Sequence, residues 1–459
     1  MCGIYGIFSP GKNVAKLTYF GMYALQHRGQ ESAGISVISD DGTIKTHKEM
    51  GLVSRVFTEE LLKPLQGYAA IGQTRYSTTG STKLANAQPI LSTFHDKPFS
   101  LVHNGNLVNI NELRDALEKE GYMFSGSSDS EIIAALISRS SAITIEDAIM
   151  EAIDKIQGAY SLLILLDGKL LGLRDPFGVR PLVIGELDGR YVLSSEDCAL
   201  PVIGANLVRE VNPGEMVTIT NDGYTTVQYK EQDRCGLCVF EFIYFARPDS
   251  NIHRKNLHLC RTKMGRNLYQ EYPVEADMVI GVPYSGTPAA IGFSKESGIP
   301  YDDVLIKNRY IGRTFIIPDQ ELREIGVKVK LNPIADAIKG KRIVLVDDSI
   351  VRGTTSQKIV QLLRDAGAKE VHIRISSPPV LNPCFYGIDT ASKKELIAAN
   401  YSVEEIQKYL KVDTIGYLSI EGMINAIHLP ANHMCMACFN GDYPIKIPLD
   451  IKREKLKYE

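Results

Sequence analysis

Lys341-Arg342-Ile343-Val344-Leu345-Val346-Asp347-Asp348-Ser349-Ile350-Val351-Arg352-Gly353-Thr354-Thr355 is the stretch that decides the architecture of the second half of this chain. Its apolar residues 343–346 predict a buried strand, which runs into two acids, a Gly/Thr loop and then a helix. Upstream, residues 278–282 predict a second such strand, leading into the loop Pro283-Tyr284-Ser285-Gly286. Short apolar runs that each pass through a polar loop into a helix are the signature of parallel βα units, whose ligands sit at the strand C-termini. By itself, an apolar strand ending in two aspartates is often only a solvated strand end.

The pattern changes towards the amino terminus. Thr144 opens a predicted helix in which Ile145, Ala148, Ile149, Ala152, Ile153 and Ile156 share one face, and Gly158 is expected to end it. Residues 160–166, the pair Asp167-Gly168 and residues 170–173 predict a strand, a turn and a second strand. The first half is therefore expected to be rich in antiparallel hairpins. The boundary falls between Gln228 and Val239, around the charged run Lys230 to Arg234, giving domains of 2–230 and 239–459. Residues 309–332 carry many charges for their length and predict a mobile loop.

Composition excludes several function classes. The 459 residues are too many for one compact core and suit two domains, hence two sites. There are 51 Lys and Arg against 54 Asp and Glu, so no general basic field exists to hold nucleic acid or an anionic membrane. Phosphate binding has to be local. No apolar run approaches the ~20 residues that span a bilayer, and a cytosolic location is expected. The eight cysteines read better as catalytic or metal-binding thiols than as a disulfide framework.

Met1-Cys2-Gly3-Ile4 places a cysteine where removal of the initiator methionine would leave it a free α-amine. Such an amine has a pKa of ~8 and a thiol ~8.5, so the amine can take the thiol proton without an external base. A lone Cys2 could equally be a small buried hydrophobe. Further segments add weight: QHRGQESAG at 26–34, GQTRYSTTG at 72–80, HNGN at 103–106 and SDSE at 128–131. With MCGI they resemble, in order, the N-terminal-nucleophile glutamine amidotransferases. The resemblance implies an α+β four-layer αββα sandwich for this half, with Cys2 as nucleophile and Arg75 as partner of the glutamine α-carboxylate. It also implies that Asp129 holds the α-ammonium, and that the Asn104 amide and the Gly105 N–H form the oxyanion hole. Asn104-Gly105 can also be read as a type I′ hairpin turn. His27 and His103 are expected to orient loops, and Arg28 reads as a surface ion pair.

The stretch 341–355 in turn resembles the phosphoribosyl pyrophosphate signature of type I phosphoribosyltransferases, which implies an α/β domain. The backbone of Arg352, Gly353, Thr354 and Thr355, with the Ser349, Thr354 and Thr355 hydroxyls, would cradle a 5′-phosphate at a helix N-terminus. Asp347 and Asp348 would face the ribose and, with Ser285, lie near Mg²⁺, which takes few carboxylates plus substrate oxygens. Many relatives carry Asp where Tyr284 stands. Residues 307–314 resemble the start of the loop that closes over pyrophosphate.

The two resemblances in one chain are those of the amidophosphoribosyltransferase family. They imply conversion of phosphoribosyl pyrophosphate, glutamine and water to 5-phosphoribosylamine, pyrophosphate and glutamate at the head of purine synthesis. Ammonia would cross between the sites by a dry passage, since in water it becomes ammonium. The family further implies a homo-oligomer, dimer or tetramer, inhibited by purine nucleotides. The alternatives are glucosamine-6-phosphate synthase, which shares the first domain, and a phosphoribosyl pyrophosphate-sensing regulator without turnover. Cys238, Cys384, Cys435 and Cys438 fall where one branch of the family holds a 4Fe-4S cluster. A zinc site of Cys235, Cys238, Cys435 and Cys438 competes with it. Cys198 and Cys260 read as core cysteines.

Overall fold

The computed structural model describes residues 1–76, 81–308, 331–388, 390 and 392–448. Alternation along the first strand, Gly3–Phe8, already requires cover on both sides: Ile4 and Phe8 face one way, Tyr5 and Ile7 the other. This strand is the centre of a seven-stranded antiparallel sheet. The order is Asn206–Glu210, Val183–Leu187, Arg190–Ser194, Gly3–Phe8, Ala69–Arg75, Ser32–Ile38 and Ile44–Met50. A second antiparallel sheet runs Gly223–Gln228, Glu215–Thr220, Lys169–Arg174, Gly158–Leu166, Lys97–Leu107 and Ile90–Phe94.

Ile4, Phe8 and Ile71 of the first sheet meet Val102, Leu163 and Val217 of the second in one apolar layer. On its outer face the first sheet packs Tyr5 and Ile7 in a cluster with Val14, Ala15 and Met22 of the helix Val14–Ala24. The second sheet packs Leu101, Leu162 and Ile164 in a cluster with residues of the helices Asp129–Ser138 and Ile145–Lys155. The four-layer αββα sandwich follows directly from these three apolar layers.

The predicted helix is present as Ile145–Lys155, with the Thr144 hydroxyl accepting the Asp147 N–H at its N-terminus. It ends before Gly158, contrary to the expectation, because Ile156 is already extended and neighbouring chain takes over its backbone bonds. The Gln157 N–H donates to Asn109 Oδ1, and the Val108 N–H to the Gln157 carbonyl. Gly158 instead opens the strand Gly158–Leu166, which turns at Asp167-Gly168 into Lys169–Arg174 as predicted. Gly168 has φ +71°, the left-handed conformation that a glycine adopts without strain.

The second half contains four parallel strands in the order Met278–Gly281, Arg342–Asp347, Glu370–Ile375 and Thr414–Tyr417. Ile280, Leu345 and Ile373 pack with Ile359, Val360 and Leu363 of the helix Thr354–Asp365 on one face. Val279, Val344 and Val346 pack with the helices Leu257–Glu271 and Thr287–Ser297 on the other. This is the α/β arrangement expected of near-continuous apolar strands. Of the predicted mobile loop, residues 309–330 lie outside the described residues, while Leu331–Pro333 forms a strand antiparallel to Leu305–Lys307. Packing does not break between the halves. One apolar cluster runs from Ile132 and Ile164 through Phe240 and Phe242 to Val344, and Leu237–Cys238 pairs in parallel with Met434–Cys435. No helix among the described residues is long and apolar enough to cross a membrane.

Candidate active sites

Cys2 is buried at the start of the strand Gly3–Phe8, and its backbone nitrogen donates to Asn104 Oδ1 at 3.2 Å. The Cys2 sulfur lies 3.6 Å from the Tyr76 carbonyl oxygen and receives the Tyr76 N–H at 3.5 Å. Asn104 and Gly105 sit inside the strand Lys97–Leu107, opposite Ser161 and Tyr160, so the hairpin-turn reading is wrong. Seven further residue pairs along the neighbouring strand outweigh the local turn preference of an Asn-Gly pair. Asn104 is fully buried and its Nδ2 is a donor with no partner. A Cβ at residue 105 would lie 1.9 Å from the Ala159 carbonyl oxygen, which accounts for the glycine.

Asp129 opens the helix Asp129–Ser138, where a negative charge is favoured by the helix dipole. Its Oδ2 accepts the Leu107 N–H at 3.0 Å and its Oδ1 lies 3.7 Å from His103 Nδ1. Burial raises the carboxyl pKa, but His103 and the hydrogen bonds from Leu107 and Ser130 outweigh it and hold the group below its usual value. His103 is braced in turn, its N–H donating to Gln88 Oε1 and its Nδ1 lying 3.1 Å from Ser130 Oγ. His103 itself lies within the strand Lys97–Leu107. Arg75 ends the strand Ala69–Arg75 and is ion-paired with Glu31, a partner that lies in the quoted 26–34 segment but that spacing alone does not reveal. Residues 77–80 of the GQTRYSTTG segment lie outside the described residues.

Arg28 is not a surface group. Its side chain is fully buried, with Nε donating to the Cys2 carbonyl at 3.0 Å and the Nη atoms donating to Glu196 and Glu241. Charge balance explains this placement: two buried carboxylates from distant parts of the chain surround the guanidinium and raise its pKa despite burial. His27 also reaches Glu196, at 2.7 Å.

In the second half, Asp347 ends the strand Arg342–Asp347, Asp348 donates its N–H to Asp347 Oδ1 at 2.9 Å, and Ser349 Oγ donates to Asp348 Oδ2 at 2.7 Å. Asp347 is pushed well above the usual carboxylate range by burial and by the neighbouring Asp348. Gly353, at φ +78°, caps the helix Thr354–Asp365 with no side-chain hydrogen bond to its first turn. Among the described residues the first-turn N–H groups there have no side-chain acceptor, as a phosphate cradle requires. Arg352 points to Glu395, with Nε at 2.6 Å from Oε2.

Ser285 lies in the turn between Met278–Gly281 and Thr287–Ser297. A Cβ on adjacent Gly286 would meet the Val346 carbonyl at 2.4 Å and Asp347 Cα at 3.1 Å, so this turn packs against the acidic strand end. Tyr284 is half exposed, with Lys307 Nζ 4.9 Å from its ring centroid.

The four cysteines are close enough to influence one another. Cys238 pairs with Cys435 across the two short strands. Burial pushes Cys238 up to about 11 and Cys438 well above the thiol range, with the charges of the other three adding to the rise at Cys438. Cys235 instead feels Arg174 and Asp175. Among the described residues, no group of three or more His, Cys, Asp or Glu is arranged to hold a metal ion as it stands. Cys198 and Cys260 are buried.

Known proteins agree with both halves. A family model described as a glutamine amidotransferase domain matches residues 73–201, and one described as a phosphoribosyl transferase domain matches residues 251–377. The amidophosphoribosyltransferase of Synechococcus elongatus is 54% identical, covering 100% of this chain and 94% of its own length. That of Mycobacterium tuberculosis is 47% identical, with 97% and 87% covered. Among solved structures, the glutamine phosphoribosylpyrophosphate amidotransferase of B. subtilis complexed with ADP and GMP superimposes with a TM-score of 0.92 at 46% identity. The match covers 98% of each chain. A structure of the allosteric regulatory enzyme of purine biosynthesis gives 0.93 at 46% identity, with 98% and 97% covered. With both sites in the family's order and matches that run the length of the chain, this chain belongs to the amidophosphoribosyltransferase family.

Proposed function

We propose that this chain releases ammonia from glutamine at Cys2 and transfers it to the anomeric carbon of phosphoribosyl pyrophosphate at the 347–355 site, giving 5-phosphoribosylamine, pyrophosphate and glutamate. The observation that carries the reading is Asn104: its Oδ1 accepts from the Cys2 nitrogen while its Nδ2 is buried without a partner. A buried orphan donor costs ~1–3 kcal/mol and is retained where a reacting oxygen will use it.

Cys2 sulfur attacks the side-chain amide carbon of glutamine, and the thiol proton passes to the Cys2 α-amine freed by loss of Met1. Asn104 Nδ2 and the Gly105 N–H stabilise the oxyanion, the protonated α-amine gives its proton to the leaving nitrogen, ammonia departs, and water hydrolyses the thioester to glutamate. Arg75 and Asp129 grip the two charged ends of the amino acid. At the second site the first-turn N–H groups of 354–355 and the hydroxyls of Ser349, Thr354 and Thr355 hold the 5′-phosphate, and Asp347 and Asp348 orient the ribose. Two crowded buried carboxylates suit a hard divalent cation, so Asp347 and Asp348, with Ser285 beside them, would hold Mg²⁺, which supplies countercharge to the departing pyrophosphate.

The central test is Cys2→Ala, which should lose glutamine-dependent pyrophosphate release and keep ammonia-dependent release. Full glutamine activity in this variant would remove Cys2 from the mechanism. Protein that retains Met1, identified by mass spectrometry, should behave like the variant, because an acylated nitrogen is a poor base.

The mutual influence of Cys238, Cys384, Cys435 and Cys438, with Cys235 set apart, supports Cys384 rather than Cys235 as the fourth thiolate, the ligand set of the 4Fe-4S reading. Such a cluster would supply a cross-link between three segments of chain. Anaerobic protein should be brown and contain about four irons per chain; stoichiometric zinc in colourless, active protein would overturn the assignment. Purine nucleotide inhibition and homo-oligomerisation belong to the same reading. Inhibition assays with ADP and GMP, and light scattering, test them.

A further inference from the structure

Resting on the reading of Cys2 as nucleophile, we infer that Glu241, from the second half of the chain, is a positioning residue for glutamine hydrolysis. Part of what anchors the nucleophile comes from outside the amidotransferase half. Arg28 holds the Cys2 carbonyl through Nε, and a guanidinium is planar, so the direction of Nε is fixed by whatever holds the other two nitrogens. Glu241 holds them as a fork, with Nη1 to Oε2 at 3.0 Å and Nη2 to Oε1 at 2.8 Å. All three side-chain partners are out of water: Glu241 and Arg28 have no side-chain exposure, and neither does Arg180, whose Nη1 lies 3.7 Å from Glu241 Oε1.

Glu241 is itself held rigidly. It opens the short turn Glu241–Phe245, and Arg261 donates to the carbonyls of Glu241, Phe242 and Ala246 at 3.2, 2.7 and 2.7 Å. The remaining carboxylate on Arg28, Glu196, is likewise tied to the second half: the Arg247 N–H and Ser250 Oγ both donate to Glu196 Oε2, at 2.9 and 2.6 Å. The sequence separation of Arg28 and Glu241 is 213 residues, so closing this fork requires the two halves to be docked.

Removing Glu241 therefore takes away the fixed direction of the group that holds the Cys2 carbonyl.

Glu241→Gln keeps the volume and one acceptor but removes the fork and the charge. Glutamine-dependent kcat should fall at least about tenfold, since a misplacement of a reacting group by about 1 Å can cost ~10²-fold. KM for glutamine, whose charged ends are held by Arg75 and Asp129, should be nearly unchanged. Ammonia-dependent synthesis, run on the same preparation, should be unchanged and reports folding. Glu241→Asp keeps the charge but withdraws the fork, so it should show the same fall in kcat. An equal fall with both nitrogen donors, an unchanged ratio of glutamine to ammonia activity in either folded variant, or failure of both variants to fold would overturn the inference in favour of a purely structural role. The parent reading fails separately, through glutamine activity in Cys2→Ala.

Discussion

Replacing Asn104 by alanine isolates the contribution of a single amide. In the resting protein its Nδ2 has no partner, a state costing ~1–3 kcal/mol, while its Oδ1 accepts from the Cys2 nitrogen at 3.2 Å, a contact contributing ~0.5–1.5 kcal/mol. These two effects oppose each other, so truncation should cost the fold little beyond the small void it leaves in the interior. The transition state is different, because there Nδ2 gains the oxyanion. Loss of one such donor costs ~3–4 kcal/mol, or ~10²–10³ in rate. Asn104→Ala should therefore lower glutamine-dependent kcat by that factor with KM for glutamine nearly unchanged, since the charged ends are held by Arg75 and Asp129. Ammonia-dependent synthesis should be unaffected. Pyrophosphate release with each nitrogen donor, read beside the melting temperature, measures all of these. A fall of less than about threefold with glutamine, or a parallel fall with both donors, would refute the assignment of Asn104 to the oxyanion hole.

The paired substitution of Asp347 and Asp348 by asparagine should abolish synthesis from glutamine and from ammonia alike, because both nitrogen sources meet the same sugar; retained ammonia-dependent turnover would remove these residues from the transfer site. Gly105→Ala should be insoluble or poorly folded, since its Cβ would lie 1.9 Å from the Ala159 carbonyl oxygen, and a normally melting variant would mean that the strand can shift to make room. Asp175 is pushed up to about 6, because burial outweighs Arg174 and the N–H groups of Phe177, Val179 and Tyr160 that favour its charged form. A carboxyl whose folded pKa lies above its unfolded one contributes stability that is present below pH ~4 and lost as pH rises through about 6, here ~3 kcal/mol in total. Asp175→Asn should flatten the change of melting temperature between pH 4 and 7, and an unaltered slope would mean that Asp175 is ionised throughout that range.

What the sequence determined by itself is the local chemistry. MCGI, HNGN, SDSE and the 341–355 run each carry their candidate residues within a few positions, so their resemblance to known families was enough to point to both sites. The stripe on Ile145–Lys155 was readable because backbone geometry alone sets which side chains share a face. Only the tertiary structure decided the rest. Asn104-Gly105 has a strong turn preference, and sheet pairing overrides it; the helix at 145 stops short of its glycine because Asn109 captures the backbone of Gln157. Arg28 looked like a surface residue because charge is normally solvated, and its burial depends on Glu196 and Glu241, 168 and 213 residues away. An ion pair leaves no periodic trace in a sequence; its partners are chosen by packing, which brings Phe240, Phe242 and Val344 into one core with the helices of the first half and carries Glu241 to the nucleophile.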